Sequence, residues 1–313
     1  ESFWMWLLKG CAGLVLFVTA TAVIIGYFVI PDVGRGRNAK IFERYPADST
    51  FKLSNGKEIK MPWHVYKSQH AMLVGEAENE EIPFNILRDL GMYPLLSSRG
   101  LPLVVFGIVE YVDGAAGAYN EIYVSFLASK SPPLEDSFTQ YIAFVIETNP
   151  FFAPFRGLLG LDGVTLVVWK MYVNTELSLR GGREIWGYPK DMAKIKIEHS
   201  QYDRKEISKC TSTLEGQEFV TLGQSGVWPF YAQNLPFYLD GASATPRRFF
   251  HSIGESKGQI LCKFKPFNSQ TDTFSVSSET AAGAEISTLQ FSPWLWFDLP
   301  FFEVVLFPPY YTE

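Results

Sequence analysis

The chain has 313 residues, 47% of them hydrophobic and 19% charged, and its formal net charge is −6. Nucleic-acid binding needs many phosphate-neutralising cations, so this mildly acidic composition argues against a nucleic-acid partner. The three cysteines form no Cys-x-x-Cys motif or Cys/His cluster, and the Gly-x-Gly-x-x-Gly dinucleotide fingerprint is absent from the sequence. We therefore predict neither a metal site nor a cofactor.

Near the N-terminus, residues 10–30 form an uncharged apolar run. At a rise of about 1.5 Å per residue, a helix of this length spans roughly 30 Å, the thickness of a bilayer's hydrocarbon core. Pro31 is expected to end that helix. A signal peptide, the alternative, would have a shorter apolar region followed by a cleavage site of small residues. The sequence therefore predicts a single-pass transmembrane helix within residues 1–31.

The charges that flank this helix predict its orientation. Lys9 alone precedes it, whereas four basic residues follow it within a predicted juxtamembrane linker, residues 32–48. By the positive-inside rule, the remaining domain, residues 49–313, faces the cytoplasm, for example from the endoplasmic reticulum membrane. Membrane lipid is then an expected partner, through the helix and the basic linker.

Residues 49–313 are predicted to form one domain that is rich in strands. Runs of β-branched and aromatic residues are separated by short segments containing Gly, Pro, Asn or Asp, and helical periodicity is scarce. This pattern predicts a mostly β (α+β) fold, an antiparallel β-barrel or sandwich with a few short helices. The predicted strands are Leu101–Tyr111, Glu121–Leu127, Tyr141–Glu147, Val164–Val173, Lys194–Glu198 and Gln259–Phe264, and a helix is predicted over Pro83–Met92.

The segment most informative about chemistry is residues 174–194. Asn174 is predicted to cap a short helix, which a Gly-Gly pair then ends or distorts. Pro189 fixes the backbone just before Lys190, so that Lys190 lies at a rigid turn into the next strand.

Residues 182–190, Gly-Arg-Glu-Ile-Trp-Gly-Tyr-Pro-Lys, resemble the signature of the acetoacetate decarboxylase superfamily, in which Gly-Arg-Glu and aromatic-Pro-Lys occur at this spacing. The resemblance implies a barrel- or cone-like fold of that family, with Lys190 forming a Schiff base with a substrate ketone. A weaker match, residues 106–121, resembles the family's strand, glycine-containing turn and Tyr-x-Glu. It implies that Glu121 is an active-site glutamate.

The same two motifs supply the other predicted site residues. Glu184 is a further catalytic candidate beside Lys190 and Glu121. The predicted substrate-binding residues are Tyr119, Arg183, Trp186, Tyr188 and Asp191.

A Schiff-base lysine must be uncharged to attack a carbonyl. The pKa of a free lysine side chain is about 10.4, roughly three units above pH 7. Burial and neighbouring cations favour the neutral form, and acetoacetate decarboxylase is itself the usual example of such activation. The resemblance implies a second lysine directly after the first, but Asp191 stands there. It also implies an early arginine that holds the substrate carboxylate, and the corresponding region offers Lys67, Gln69 or His70 instead. The chain is therefore expected to be a divergent member.

These features together predict a membrane-anchored lyase-type enzyme that acts on a hydrophobic ketone or β-keto substrate, such as a polyketide- or terpenoid-like secondary metabolite. Decarboxylation and aldol or dehydration chemistry are both compatible with a Schiff-base lysine. One alternative is a cyclase or isomerase without an imine, in which Glu121, Glu184 or Asp191 does the acid–base work. Another is a non-catalytic barrel that binds a hydrophobic ligand. The resemblance also makes a homo-oligomer an expected assembly.

Overall fold

The computed structural model describes residues 39–97, 99–130, 132, 165–200, 207–224, 235–245 and 252–308. The predicted transmembrane helix and the predicted strand Tyr141–Glu147 lie outside these ranges. Within them, no helix is both long enough and apolar enough to cross a membrane.

Strands make up most of the described chain, and the helices between them are short. The helices are α1 (Ala39–Arg44), α2 (Glu81–Asp89), α3 (Glu176–Gly181) and α4 (Ala281–Ser287), with a π-helical turn (Gly182–Trp186) directly after α3. The first eight strands are β1 (Ser49–Lys52), β2 (Glu58–Met61), β3 (Trp63–Ala77), β4 (Tyr93–Pro94), β5 (Leu103–Gly114), β6 (Tyr119–Ser129), β7 (Thr165–Val173) and β8 (Lys190–Met192). The others are β9 (Lys194–His199), β10 (Ile207–Leu214), β11 (Gln217–Gln224), β12 (Leu235–Thr245), β13 (Ser252–Pro266), β14 (Asp272–Val276) and β15 (Phe291–Phe307).

The described strands form three sheets. β1 and β2 form a hairpin, β14-β11-β10-β9 form a four-stranded sheet, and the largest sheet has the order β4-β6-β5-β3-β15-β13-β12-β7-β8. In this sheet β7 also pairs with β6, and it runs parallel to β12 and β8. The mostly β class with few helices is confirmed. The prediction of an antiparallel barrel or sandwich was too simple, because the described strands form three sheets and two of their pairings are parallel.

Five of the six predicted strands fall on β5, β6, β7, β9 and β13, and the predicted helix falls on α2. The predicted helix cap is wrong by one residue. Thr175, not Asn174, is the N-cap of α3, and its side chain accepts a hydrogen bond from the backbone of Ser178. The side chain of Asn174 instead accepts from the backbone N–H of Asn120, so it ties the end of β7 to β6.

Alternation along β5 and β6 separates a core face from a site face. Phe106 and Ile108 of β5 and Ile122 of β6 belong to the same buried cluster as Phe219 and Leu222 of the four-stranded sheet. Each such side chain stabilises the fold by about 1.5–3 kcal/mol when it is fully buried. The residues between them point to the opposite face, because side chains along a strand alternate. That opposite face carries the candidate active site.

Candidate active site

A buried lysine and a buried glutamate form the centre of the site. Lys190, at the start of β8, is 5% exposed, and Glu121, on β6, is 4% exposed. The Lys190 ammonium donates hydrogen bonds to Glu121 Oε2 at 2.6 Å and to Ser178 Oγ at 3.1 Å. Both charges are thus removed from water and satisfied by each other, an arrangement in which removing one partner costs about 3–5 kcal/mol.

The helical segment before Lys190 provides the space for its side chain. A Cβ on Gly182 would lie 2.4 Å from both Cδ and Cε of Lys190, a contact that no real side chain tolerates. Gly182 begins the π-helical turn, a distortion that is frequent at functional sites, and the turn ends at Gly187 with φ of 75°. The predicted distortion at the glycine pair therefore exists, and it lets the lysine pass against bare backbone.

Two stacked tyrosines complete the surroundings of the ion pair. The rings of Tyr111 and Tyr119 lie 4.1 Å apart with an interplanar angle of 16°. The Tyr111 hydroxyl donates to Glu121 Oε1 at 3.5 Å, and Lys190 Nζ lies 5.5 Å from the centre of the Tyr119 ring. Burial, followed by the negative charge of Glu121, raises the pKa of both tyrosines well above its usual value. Both hydroxyls therefore stay protonated and can donate hydrogen bonds.

The residue after the lysine points out of the site. Arg183 donates from Nε to the Lys190 carbonyl oxygen at 2.6 Å and from Nη2 to Asp191 Oδ1 at 2.5 Å. The side chains of Arg183 and Asp191 are 50% and 62% exposed. Asp191 is thus held at the surface by an arginine, as the alternation of a strand allows. Arg183 therefore stabilises the backbone at Lys190 rather than the position of its amine.

Glu184 is not brought to the Lys190 amine. Its two carboxylate oxygens accept hydrogen bonds from the backbone and the hydroxyl of Ser54, each at 2.7 Å. These bonds, from the backbone first, lower the pKa of Glu184. The carboxylate therefore ties the π-helical turn to the β1–β2 connection, and nothing in this geometry provides the predicted catalytic contact.

The two predicted aromatic residues differ in their position. Trp186 is buried, donates from Nε1 to the carbonyl oxygen of Phe307 at 3.3 Å, and packs edge-on against Trp63. Tyr188 lies closer to the reactive group, with the centre of its ring 5.9 Å from Lys190 Nζ. The structure thus brings together Lys190, Glu121, Tyr119 and Tyr188 of the predicted set. Arg183, Glu184, Trp186 and Asp191 surround this group without an observed contact to the amine.

Sequence reasoning missed Ser178 and Tyr111. Ser178 lies on the buried side of α3, and no motif in the sequence marks it. Tyr111 had a signal, because a hairpin that pairs Val109 with Glu121 also pairs Tyr111 with Tyr119. Strand pairing around the glycine-containing turn could therefore have found it.

A second buried lysine provides a reference within the same chain. Lys265 Nζ lies 2.8 Å from Asp272 Oδ1, and the two side chains are 6% and 0% exposed. Asp272 also accepts a hydrogen bond from the backbone of Asn268 at 3.0 Å, which is typical of a structural pair that fixes a turn. Burial and a carboxylate partner alone therefore do not distinguish Lys190. Its contacts with Ser178 and the tyrosines do.

Comparisons with known proteins agree with the motif assignment. Residues 93–223 match the family model described as acetoacetate decarboxylase (ADC). Similar solved structures include acetoacetate decarboxylase from Legionella pneumophila subsp. pneumophila str. Philadelphia 1, with 14% identity and a TM-score of 0.48, over 79% of this chain and 85% of that one. The enduracididine biosynthesis enzyme MppR complexed with pyruvate has 10% identity and a TM-score of 0.45, over 79% and 91%.

An acetoacetate decarboxylase-like enzyme from Sphingomonas wittichii RW1 has 11% identity and a TM-score of 0.43, over 82% of this chain and 97% of that one. No curated protein sequence matches the chain. The matched family region, residues 93–223, contains Glu121, Ser178 and Lys190. Over these residues the chain is similar to the acetoacetate decarboxylase family.

Proposed function

We propose that the chain is a lyase-type enzyme in which Lys190 forms a Schiff base with the carbonyl group of a hydrophobic ketone or β-keto substrate. The observation that supports this most directly is the 2.6 Å contact between the buried Lys190 ammonium and the buried Glu121 carboxylate. A nucleophilic amine needs a base that accepts its proton within hydrogen-bond reach, and Glu121 is within that reach.

The covalent step follows from this pair. Glu121 accepts one proton from the Lys190 ammonium, and the free Nζ electron pair forms a bond to the carbonyl carbon. A second Nζ proton moves to the carbonyl oxygen to give a carbinolamine, and its hydroxyl then leaves as water with the proton returned by Glu121. The product is a protonated imine that retains one Nζ proton, so the three ammonium protons and the single positive charge are all accounted for.

The protonated imine then serves as an electron sink. A bond to the neighbouring carbon breaks, whether to hydrogen, to carbon or to a carboxyl group, and its electron pair moves into an enamine. Glu121 can accept or return the proton, while the neutral hydroxyls of Tyr111 and Tyr119 can stabilise a developing oxyanion. Hydrolysis of the imine, the reverse of its formation, releases the product.

The apolar surroundings favour a hydrophobic substrate. Met171 pairs with Lys190 across β7 and β8, and Tyr123 pairs with Met171 in turn. Met72 and Tyr123 lie beside a buried apolar cluster that also includes Phe297 at its border. A polyketide- or terpenoid-like ketone has the apolar surface that such a wall would bury. The predicted membrane helix would place the domain where these compounds partition, and it remains a prediction.

Borohydride reduction tests the Schiff base directly. The protein is incubated with 2-nonanone and sodium borohydride, digested, and mapped by mass spectrometry. We expect the reduced adduct on the peptide containing Lys190 and not on that containing Lys265, the buried reference lysine. Lys190→Arg should abolish the adduct. Turnover of a ketone substrate without any adduct on Lys190 would contradict the covalent mechanism.

The same ion pair favours one non-covalent alternative. Lys190 lies 2.6 Å from the Glu121 carboxylate, and a lysine cation can stabilise an enolate while Glu121 moves the proton. This second candidate is an isomerase or cyclase on the same scaffold. It differs from the first in tolerating arginine at position 190.

A further inference from the structure

The strand register arranges the wall around Lys190 in three adjacent rows of side chains. Residues that pair directly across neighbouring strands lie on the same face, so each row can be followed from strand to strand. The first row is Ser68, Tyr111 and Tyr119. The second is His70, Val109, Glu121 and Val173. The third is Met72, Gly107, Tyr123, Met171 and Lys190.

Contacts between side chains confirm that these rows share one face. Tyr111 bonds to Glu121, and its ring centre lies 6.2 Å from that of His70. His70 Nε2 also lies 3.1 Å from Ser68 Oγ. Neighbouring strands are about 4.8 Å apart, so His70 and Glu121, separated by one strand, face the same space across roughly 10 Å.

The three rows carry no excess positive charge. On β3, β5, β6, β7 and β8, their single cation is Lys190, which is already neutralised by Glu121. His70 is 7% exposed, and burial lowers its pKa to about 3, so it is neutral at physiological pH. The tyrosine hydroxyls are neutral as well. Against these described rows, a substrate carboxylate would therefore be a second buried anion beside Glu121, and the rows offer it no cation.

We infer that this site accepts uncharged carbonyl compounds, ketones or aldehydes that carry no carboxylate, and discriminates against keto acids. The inference rests on the proposed function and narrows it. Without a carboxylate to lose, the bond that breaks beside the imine is a carbon–hydrogen or carbon–carbon bond. The reaction is then of the aldol, retro-aldol or dehydration type, and its electron pair enters the enamine as described above.

Two ligands with the same ketone and different charge test the inference. The probes are 4-oxopentanoate and its methyl ester, each trapped on the intact protein with borohydride and quantified at Lys190 by peptide mass spectrometry. We expect half-maximal trapping at a concentration at least tenfold lower for the ester. His70→Arg, which adds a cation to the second row, should reduce this ratio or invert it, whereas His70→Gln, which adds none, should preserve the preference for the ester. Trapping of the acid as readily as the ester by the unmodified protein overturns the inference.

Failure of the proposed function gives a different result. If neither probe forms an adduct with Lys190, the Schiff base is contradicted, and calorimetric titration with the same two probes then decides the charge preference. Tighter binding of the ester supports an uncharged substrate. Equal or tighter binding of the acid overturns the inference.

Discussion

Lys190 and Glu121 lie 69 residues apart in the sequence and only 2.6 Å apart in space, measured from Nζ to Oε2. Their strands, β8 and β6, flank β7 on opposite sides, and β7 pairs with each of them. The register of this central strand therefore sets the distance between the two groups. The pair is the point at which the two sequence motifs meet, and its chemistry can be tested with single substitutions.

Glu121→Gln tests whether the carboxylate serves as a base. The amide has nearly the same shape but cannot accept the Lys190 proton, so we expect the rate of borohydride-trapped adduct formation to fall by about 10²- to 10⁴-fold. The free energy of unfolding should also fall, by up to about 3–5 kcal/mol, because a buried ammonium loses its counter-charge. Asp272→Asn is the control. This control disrupts the buried pair of Lys265 and Asp272, so it should lower the free energy of unfolding while leaving trapping at Lys190 intact. Equal trapping in wild type and Glu121→Gln would contradict the role of Glu121.

Gly182→Ala tests the space that the lysine needs. The added Cβ would meet Lys190 Cδ and Cε at 2.4 Å, so the lysine must leave its contacts with Glu121 and Ser178. We expect loss of trapping together with a destabilisation of about 1–3 kcal/mol from overpacking, measured by denaturant titration. Gly181→Ala is matched, because its Cβ would lie 2.8 Å from Trp63 Cζ3 and would not meet Lys190. If both variants lose trapping to the same extent at equal stability, the contact between the added Cβ and Lys190 does not explain the loss of trapping.

Ser178→Ala tests the second partner of the ammonium. A hydrogen bond to a charged group contributes about 1.5–3 kcal/mol, so an orienting role predicts a fall in trapping rate of roughly ten- to a hundredfold. Ser212→Ala is the control, since that hydroxyl is also fully buried but donates to the carbonyl oxygen of Val220. A rate unchanged from wild type would exclude this role for Ser178.

Lys190→Arg separates the two proposed mechanisms. Arginine keeps the positive charge beside Glu121 but cannot form an imine under these conditions. The Schiff-base mechanism predicts a loss of turnover of at least about 10³-fold, measured on any ketone that wild type converts. Lys265→Arg should retain full turnover. Substantial activity in Lys190→Arg would favour the isomerase or cyclase alternative. If wild type forms no product and Lys190→Arg binds the ligand as tightly as wild type does, a binding protein is favoured.

His70 predicts a specific loss of stability in acid. The pKa of His70 is about 3 in the folded protein and about 6.5 in the unfolded chain. Below pH 6.5 the unfolded chain therefore binds a proton at His70 that the folded protein does not bind. The contribution of His70 is complete above pH 6.5 and is lost progressively towards pH 3, at about 1.4 kcal/mol per pH unit. Denaturant titrations at pH 7 and pH 5 should therefore show a smaller difference for His70→Gln than for wild type. His199→Gln, which removes a less buried histidine, serves as the control, and an equally small difference there would argue against His70 as the source.

The site could be predicted from the sequence where the chemistry is local. The Pro-Lys motif predicted Lys190, and the resemblance to Tyr-x-Glu predicted Glu121. Strand pairing about the turn between β5 and β6 could have added Tyr111, which was missed. Glu184 could not be placed, because a π-helical turn changes the angle between successive side chains and directs this carboxylate towards Ser54. Lys67, Gln69 and His70 were candidates for one position and could not be separated from the sequence. His70 faces the site because β3 pairs with β5 in one particular register, and a pairing between distant strands has no local signal.

The fold, like the site, could be predicted where the sequence signal is local and not where it depends on distant segments. Hydrophobic runs located the strands, since alternation and β-branched residues depend on neighbours in the chain. The parallel pairings of β7 depend on how separate segments assemble, and the spacing of strands does not reveal them. The helix cap was displaced from Asn174 to Thr175 because both residues suit that position. The competing bond to Asn120 across the sheet decides between them.

The outward direction of Asp191 limits what one substitution at this position could change in the site. Asp191→Lys would recreate the lysine pair of the family signature in the sequence alone. The new ammonium would emerge at the solvent, beside the guanidinium of Arg183, and the two like charges would repel each other where an ion pair now exists. The reactive amine would gain no buried cationic neighbour from that exchange. A buried cation beside Lys190 would require a change in the phase of β8 or a new cation from another strand, so backbone geometry, and not one codon, stands between this site and a buried lysine pair.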